Sequence, residues 1–148
     1  MSVTIDANIL AYAGDPESRF NEGARVALTE LMEGREIVHL FWPALLAYLR
    51  IVTHPGLHEN PLSIDEAAAN VSSLLDRSIV RVSGEPDGMW IGLRKELLDG
   101  QARGKLVHDA HVVALMRAHG VRDIVTHDRD FRRFPGIRVI DPFETDDE

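Results

Sequence analysis

The stretch Ser2-Val-Thr-Ile-Asp-Ala-Asn-Ile-Leu-Ala11 sets the frame for the chain. Ser2–Ile5 is short and β-branched, which predicts a buried strand. Ile9-Leu-Ala11 reads as helix, and Asp6 stands at the junction with Asn8 two residues on. A lone carboxylate in that place is a turn residue or a helix cap unless other groups join it.

Outward from this junction, strand and helix signals alternate. Asp15-Pro16 has the form of a helix start, with Asp at the cap and Pro in the first turn. Phe20, Ala24, Ala27, Leu28 and Leu31 keep a helical period as far as Gly34. Residues 37–40 predict a second strand. Pro43 opens a mostly apolar helix that must end before His54-Pro55. Ser63-Ile-Asp-Glu66 is a capping box, followed by one apolar stripe of Ile64, Ala67, Ala68, Val71, Leu74 and Leu75. Residues 79–82 predict a third strand, 88–98 a helix, 100–104 a loop and 108–119 a helix closed by Gly120. Residues 123–126 and 137–140 complete the strands. The alternation predicts an α/β fold: a single domain with a mostly parallel central sheet of about five short strands, flanked by helices.

The chain has 148 residues, 45% of them apolar, and no cysteine. A disulfide framework and a cysteine zinc site are therefore excluded. The N-terminal residues lack a basic, apolar leader, and residues 41–52 are interrupted by Pro43 and Arg50 and too short to span a bilayer. A soluble, cytoplasmic protein with no membrane partner is expected. The formal charge is −8, and five of the 24 acids fall in residues 141–148; without those five it is −3. The expected division is a domain over 1–141 and a solvated acidic tail over 142–148. A chain of this charge binds nucleic acid only through cations or a local basic patch.

Further acids join Asp6. Asp109, in the first turn of the predicted helix 108–119, shares a face with Val112, Val113 and Met116. Asp128 lies two residues past the fourth strand, and Asp130 two further on. Open parallel sheets carry their sites beyond the carboxyl ends of the strands, and Asp6 and Asp128 both leave strands there. Several carboxylates in one crevice repel one another and need a cation. Oxygen ligands without cysteine point to Mg²⁺ or Mn²⁺.

Asp6-Ala-Asn8, His108-Asp109-Ala and Thr126-His-Asp128-Arg-Asp130-Phe131 resemble the acidic motifs of PIN-domain ribonucleases. Over nearly the whole chain the resemblance is nearest to the VapC toxins of VapBC toxin–antitoxin modules. Leu49-Arg-Ile-Val-Thr-His-Pro55 and Asp130-Phe-Arg-Arg-Phe-Pro-Gly136 look like one subgroup of them. The resemblance implies metal-dependent hydrolysis of RNA phosphodiesters, with Mg²⁺ or Mn²⁺ at an acidic site. On that expectation Asp6, Asp109 and Asp128 are catalytic and hold metal, and Asn8 and Thr126 orient the carboxylates. A VapB-type antitoxin and a homodimer are implied as well. The helix over 43–52, apolar almost all round, has to be buried or at an interface.

The chain departs from the family pattern in the helix after the second strand, where a Glu is usual; here residues 43–50 contain no acid. Asp130 supplies part of that charge only if the chain is irregular around it. A helical turn would point it about 200° from Asp128. Arg94, Lys95, Arg103 and Lys105 precede Asp109 and form a candidate RNA path. His108 and His111 read as capping and packing residues, and Trp42 and Trp90 as core or interface residues. Two other readings remain: a degenerate PIN domain that binds RNA or a partner protein without cleavage, and an aspartyl-phosphate enzyme. The second is disfavoured because a neutral Asn8 stands where one such family needs an acid.

Overall fold

The computed structural model describes residues 2–144. β1 (Ser2–Ile5) lies at the centre of a five-stranded sheet. On one side it pairs with β2 (Ile37–Phe41), which pairs with β3 (Val80–Ser83). On the other it pairs with β4 (Asp123–Val125), which pairs with β5 (Arg138–Ile140). Every pairing is parallel, so the α/β expectation holds. Strands this short and β-branched survive at the centre because both faces are covered.

Two apolar clusters do the covering. One joins Val3, Ile5, Val38 and Leu40 to α1 (Ala7–Ala13), α2 (Asn21–Glu33), α3 (Trp42–Thr53) and α4 (Ile64–Leu75). The other joins Phe41, Ile124, Phe131 and Phe134 to the inner face of α6 (Lys105–Ala118), with Leu97 of α5 (Met89–Asp99) packed on it. The period-two alternation of the strands feeds the two faces in turn. None of the helices among the described residues is long and apolar enough to cross a membrane.

The local signals mostly act as the sequence suggests. Ser63 Oγ accepts the Glu66 N–H at 3.1 Å and donates to Oε1 of Glu66 at 3.2 Å, so the capping box starts α4. Pro43 sits in the first turn of α3. Gly120 ends α6 at φ +70, a conformation that favours glycine.

Three expectations need correction. The helix expected from Asp15-Pro16 starts at Asn21. Asp15 instead accepts the Glu17 N–H at 3.0 Å in a turn, and the Asn21 amide caps the carbonyls of Tyr12 and Ala13 at 2.8 and 3.3 Å. The helix expected over 108–119 opens at Lys105, directly after Gly104 turns the chain at φ +59. Of the two places expected for Trp42 and Trp90, core or interface, the core is excluded by their 47% and 62% exposure. The acidic stretch expected from residue 142 is packed where it begins. Phe143 stacks on Phe20 with centroids 4.5 Å apart and lies so close to Gly23 that a Cβ there would meet it at 2.9 Å. Residues 145–148, with most of the tail's acids, fall outside the described residues.

α5 and α6 are tied by Glu96, which is 2% exposed and meets Arg117 Nε at 2.5 Å. Arg117 also donates to the Pro135 carbonyl at 2.7 Å. Removing one partner of such a pair strands a buried charge. Arg117→Ala is expected to cost about 2 to 4 kcal/mol of folding stability, read by urea denaturation. A loss below about 0.5 kcal/mol would show that Glu96 finds other compensation.

Candidate active site

The β1–β4 register pairs Ile5 with Val125, and the Asp6 N–H donates to the Val125 carbonyl at 2.9 Å. Asp6 and Thr126 therefore leave the sheet side by side at its carboxyl rim. Thr126 is fully buried. Its hydroxyl donates to Asp6 Oδ2 at 2.6 Å and accepts the Asp128 N–H at 3.0 Å. One oxygen thus fixes both a carboxylate after β1 and the turn after β4.

Asp128 caps a 3-10 helix over Arg129–Arg133, with Oδ1 accepting the Asp130 N–H at 2.9 Å. Asp128 itself is extended, at φ −83 and ψ 111, and lies outside that helix. The chain is irregular between the two acids, so Asp130 does not turn away. Asp109 lies one turn into α6 rather than in its first turn. Its face is the buried one, shared with Val112, Val113 and Met116, and the residue is 1% exposed. Carboxylate oxygens of Asp109, Asp128 and Asp130 all lie within 4.8 Å of one another.

Lys105 stands one helical turn before Asp109 and reaches into the cluster. Its Nζ lies 3.3 Å from Asp109 Oδ2 and 3.8 Å from Asp130 Oδ2, and donates directly to Asp128 Oδ2. Burial pushes the Asp109 carboxyl up to about 6 from an ordinary 3.8; Lys105 pulls it down, while Asp128 and Asp6 push it further up. Burial works against the Lys105 ammonium, yet Asp128 and Asp109 carry it above its usual range. His108 is held below its ordinary value by burial, against the pull of Asp6.

The structure gathers Asp109, Asp128 and Asp130 into one close cluster; Asp6, expected as a direct ligand, stands at the same rim bonded to Thr126 but outside that group of three. Asn8 is exposed on α1, and its side chain makes no hydrogen bond to the acids among the described residues. Arg94 and Arg103 are exposed. Lys95 pairs with Asp99 on its own helix at 2.8 Å, and His111 with Glu85 at 2.7 Å. Lys105, expected along an open path, is held by the acids; its i, i+4 spacing to Asp109 was the available signal. His127 also went unread. Its Nδ1 meets Asp141 at 2.8 Å, and its ring packs on Phe20 and Phe143 beside the rim.

Three close carboxylates, one of them almost wholly buried, with an ammonium already between them, are a donor set suited to a hard divalent cation. α3 contributes no acid, and Asp130 adds negative charge to the cluster.

No family model matches the chain. It is 44% identical to Ribonuclease VapC48 of Mycobacterium tuberculosis over 143 residues, covering 97% of this chain and 99% of the relative. With Ribonuclease VapC37 of the same organism it shares 34% identity over 140 residues, 93% of this chain and 95% of the relative. Among solved structures, the fold matches Mycobacterium tuberculosis VapC20, described as a Sarcin-Ricin loop cleaving toxin. The TM-score is 0.66 at 19% identity, over 92% of this chain and 98% of that one. It also matches Rickettsia felis VapBC2 bound to a DNA fragment from their promoter, with a TM-score of 0.66 at 17% identity, over 95% of this chain and 98% of that one.

Asp109 takes up its proton at higher pH than an exposed carboxyl does. The folded protein binds this proton more tightly than the unfolded chain, so metal-free stability from this group rises as pH falls from about 6 towards 4. Above about pH 6 the ionised carboxylate costs on the order of 1–3 kcal/mol. Asp109→Asn in EDTA is expected to melt higher than wild type at pH 7.5 and to lose that pH dependence. Equal melting temperatures from pH 4 to 7.5 would contradict the assignment.

Proposed function

The chain belongs to the VapC ribonuclease family, and on that premise we propose that it is a metal-dependent endoribonuclease acting as the toxin of a type II toxin–antitoxin module. One observation carries the reading. Asp109, Asp128 and Asp130 converge on a single cation position beside Asp6, in a chain 44% identical to a ribonuclease along almost its full length.

Asp109, Asp128 and Asp130 would hold Mg²⁺ or Mn²⁺, with Asp6 as a further ligand from the adjoining strand end. The chemistry a divalent ion would supply there is neutralisation of charge on the phosphoryl group and a more acidic water for hydrolysis. The protein's own part is positional. Thr126 holds Asp6 against β4 and fixes the turn that presents Asp128. The first turns of α6 set Asp109 against the second apolar cluster, where it cannot swing away. Arg94 and Arg103, exposed on the approach to α6, offer cations to RNA phosphates on a surface that is otherwise net negative.

Protein partners are supported by apolar surface. Trp42 and Leu46 of α3, and Trp90 and Ile91 of α5, are 47% to 79% exposed, more than isolated surface hydrophobics need. We assign this surface to a homodimer and to a VapB-type antitoxin. Sedimentation of the purified chain at micromolar concentration is expected to give a dimer. A monomer there would remove the first assignment.

Asp6→Asn is expected to lower RNA cleavage by at least roughly 10- to 100-fold, the loss that removing even an outer-shell partner of a metal ligand brings, with an unchanged circular dichroism spectrum. Wild-type cleavage should vanish in EDTA and return with Mn²⁺. A folded Asp6→Asn protein that cleaves at the wild-type rate would overturn the site. A wild-type protein that binds RNA without cutting it would favour the degenerate binding domain.

A further inference from the structure

We propose that Lys105 is a built-in counter-ion of the acid cluster, occupying the cation position in the metal-free protein and exchanged for the divalent ion on loading. The inference rests on the reading of Asp109, Asp128 and Asp130 as a divalent-cation site.

Three observations carry it. The Lys105 nitrogen addresses Oδ2 of Asp109, of Asp128 and of Asp130, three oxygens on three segments, from one point. The ammonium hydrogen-bonds Asp109 Oδ2 and Asp128 Oδ2 and stands 3.8 Å from Asp130 Oδ2, so it takes up the centre of the cluster, where a Mg²⁺ ion bonding these oxygens at about 2.1 Å would sit. The groups also differ in freedom to move. The Asp109 side chain is 2% exposed and fixed, whereas that of Lys105 is 61% exposed. Its stem starts in the first turn of α6, directly after Gly104. The ammonium can therefore turn into solvent, or towards a phosphate in the crevice, without disturbing the core.

The consequence is a threshold. In the metal-free chain Lys105 offsets part of the repulsion among the carboxylates. An incoming ion must displace it, so the chain binds metal more weakly than its acids alone would. Because the competing cation is tethered four residues from Asp109, the threshold is independent of any partner protein.

The test is calorimetric titration of full-length wild type, Lys105→Met and Lys105→Arg with Mn²⁺, alongside melting temperatures in EDTA and in Mn²⁺. Lys105→Met is expected to bind Mn²⁺ roughly tenfold more tightly, the scale of one charge-assisted hydrogen bond. It should also melt lower in EDTA and gain more on adding Mn²⁺. Lys105→Arg, which keeps the charge, should stay near wild type. Lys105→Gln is a second uncharged variant should the Met side chain impair folding. Equal or weaker Mn²⁺ binding by the uncharged variants would overturn the exchange while leaving the metal site standing. Absence of Mn²⁺ binding in every protein would overturn the metal site, and the exchange with it.

Discussion

The parallel register of β1 with β4 is the constraint on which the rim depends. Pairing Ile5 with Val125 leaves Asp6 and Thr126 at the same level, and a 2.6 Å hydrogen bond joins them. A one-residue slip would turn every side chain of β1 to the opposite face, taking Val3 and Ile5 out of their cluster as well as moving Asp6. The core that stabilises the sheet and the geometry that brings the acids together are therefore one arrangement.

What the register assembles is electrostatically unfavourable by itself. Asp109 is buried beside Asp128, Asp130 and Asp6, and its carboxyl is pushed up to about 6. Packing alone does not require an acid there; an apolar residue would suit the helix face between α6 and the sheet better. Sites that carry such a cost are where function is to be sought. The pull of Lys105 on Asp109 relieves part of the cost and marks where positive charge is wanted.

The strands, the capping box at Ser63 and the stop at Gly120 were legible because each is a local rule acting on adjacent residues. Asp15-Pro16 misled for the same reason. A sound local start signal was outweighed by Asn21 capping the end of α1, a contact across nine positions in sequence. The buried face of Asp109 is legible in the sequence, because its spacing to Val112, Val113 and Met116 does not depend on where the helix opens. Its turn is not, because Gly104, not the helix pattern, sets the start. Asp130 could not be settled from spacing: its direction depends on the backbone of Asp128, which is extended only because Thr126 and the 3-10 helix hold it so. Trp42 and Trp90 show the reverse limit, since apolar character does not say whether a residue faces the core or a partner.

An anomalous difference map from crystals grown with Mn²⁺ would locate the cation itself rather than its effect. A peak is expected about 2.1 Å from carboxylate oxygens of Asp109 and Asp128, with the Lys105 amine turned away from them. No peak at the rim under saturating Mn²⁺, with Lys105 still bridging the three acids, would contradict the assignment of a divalent-cation site there.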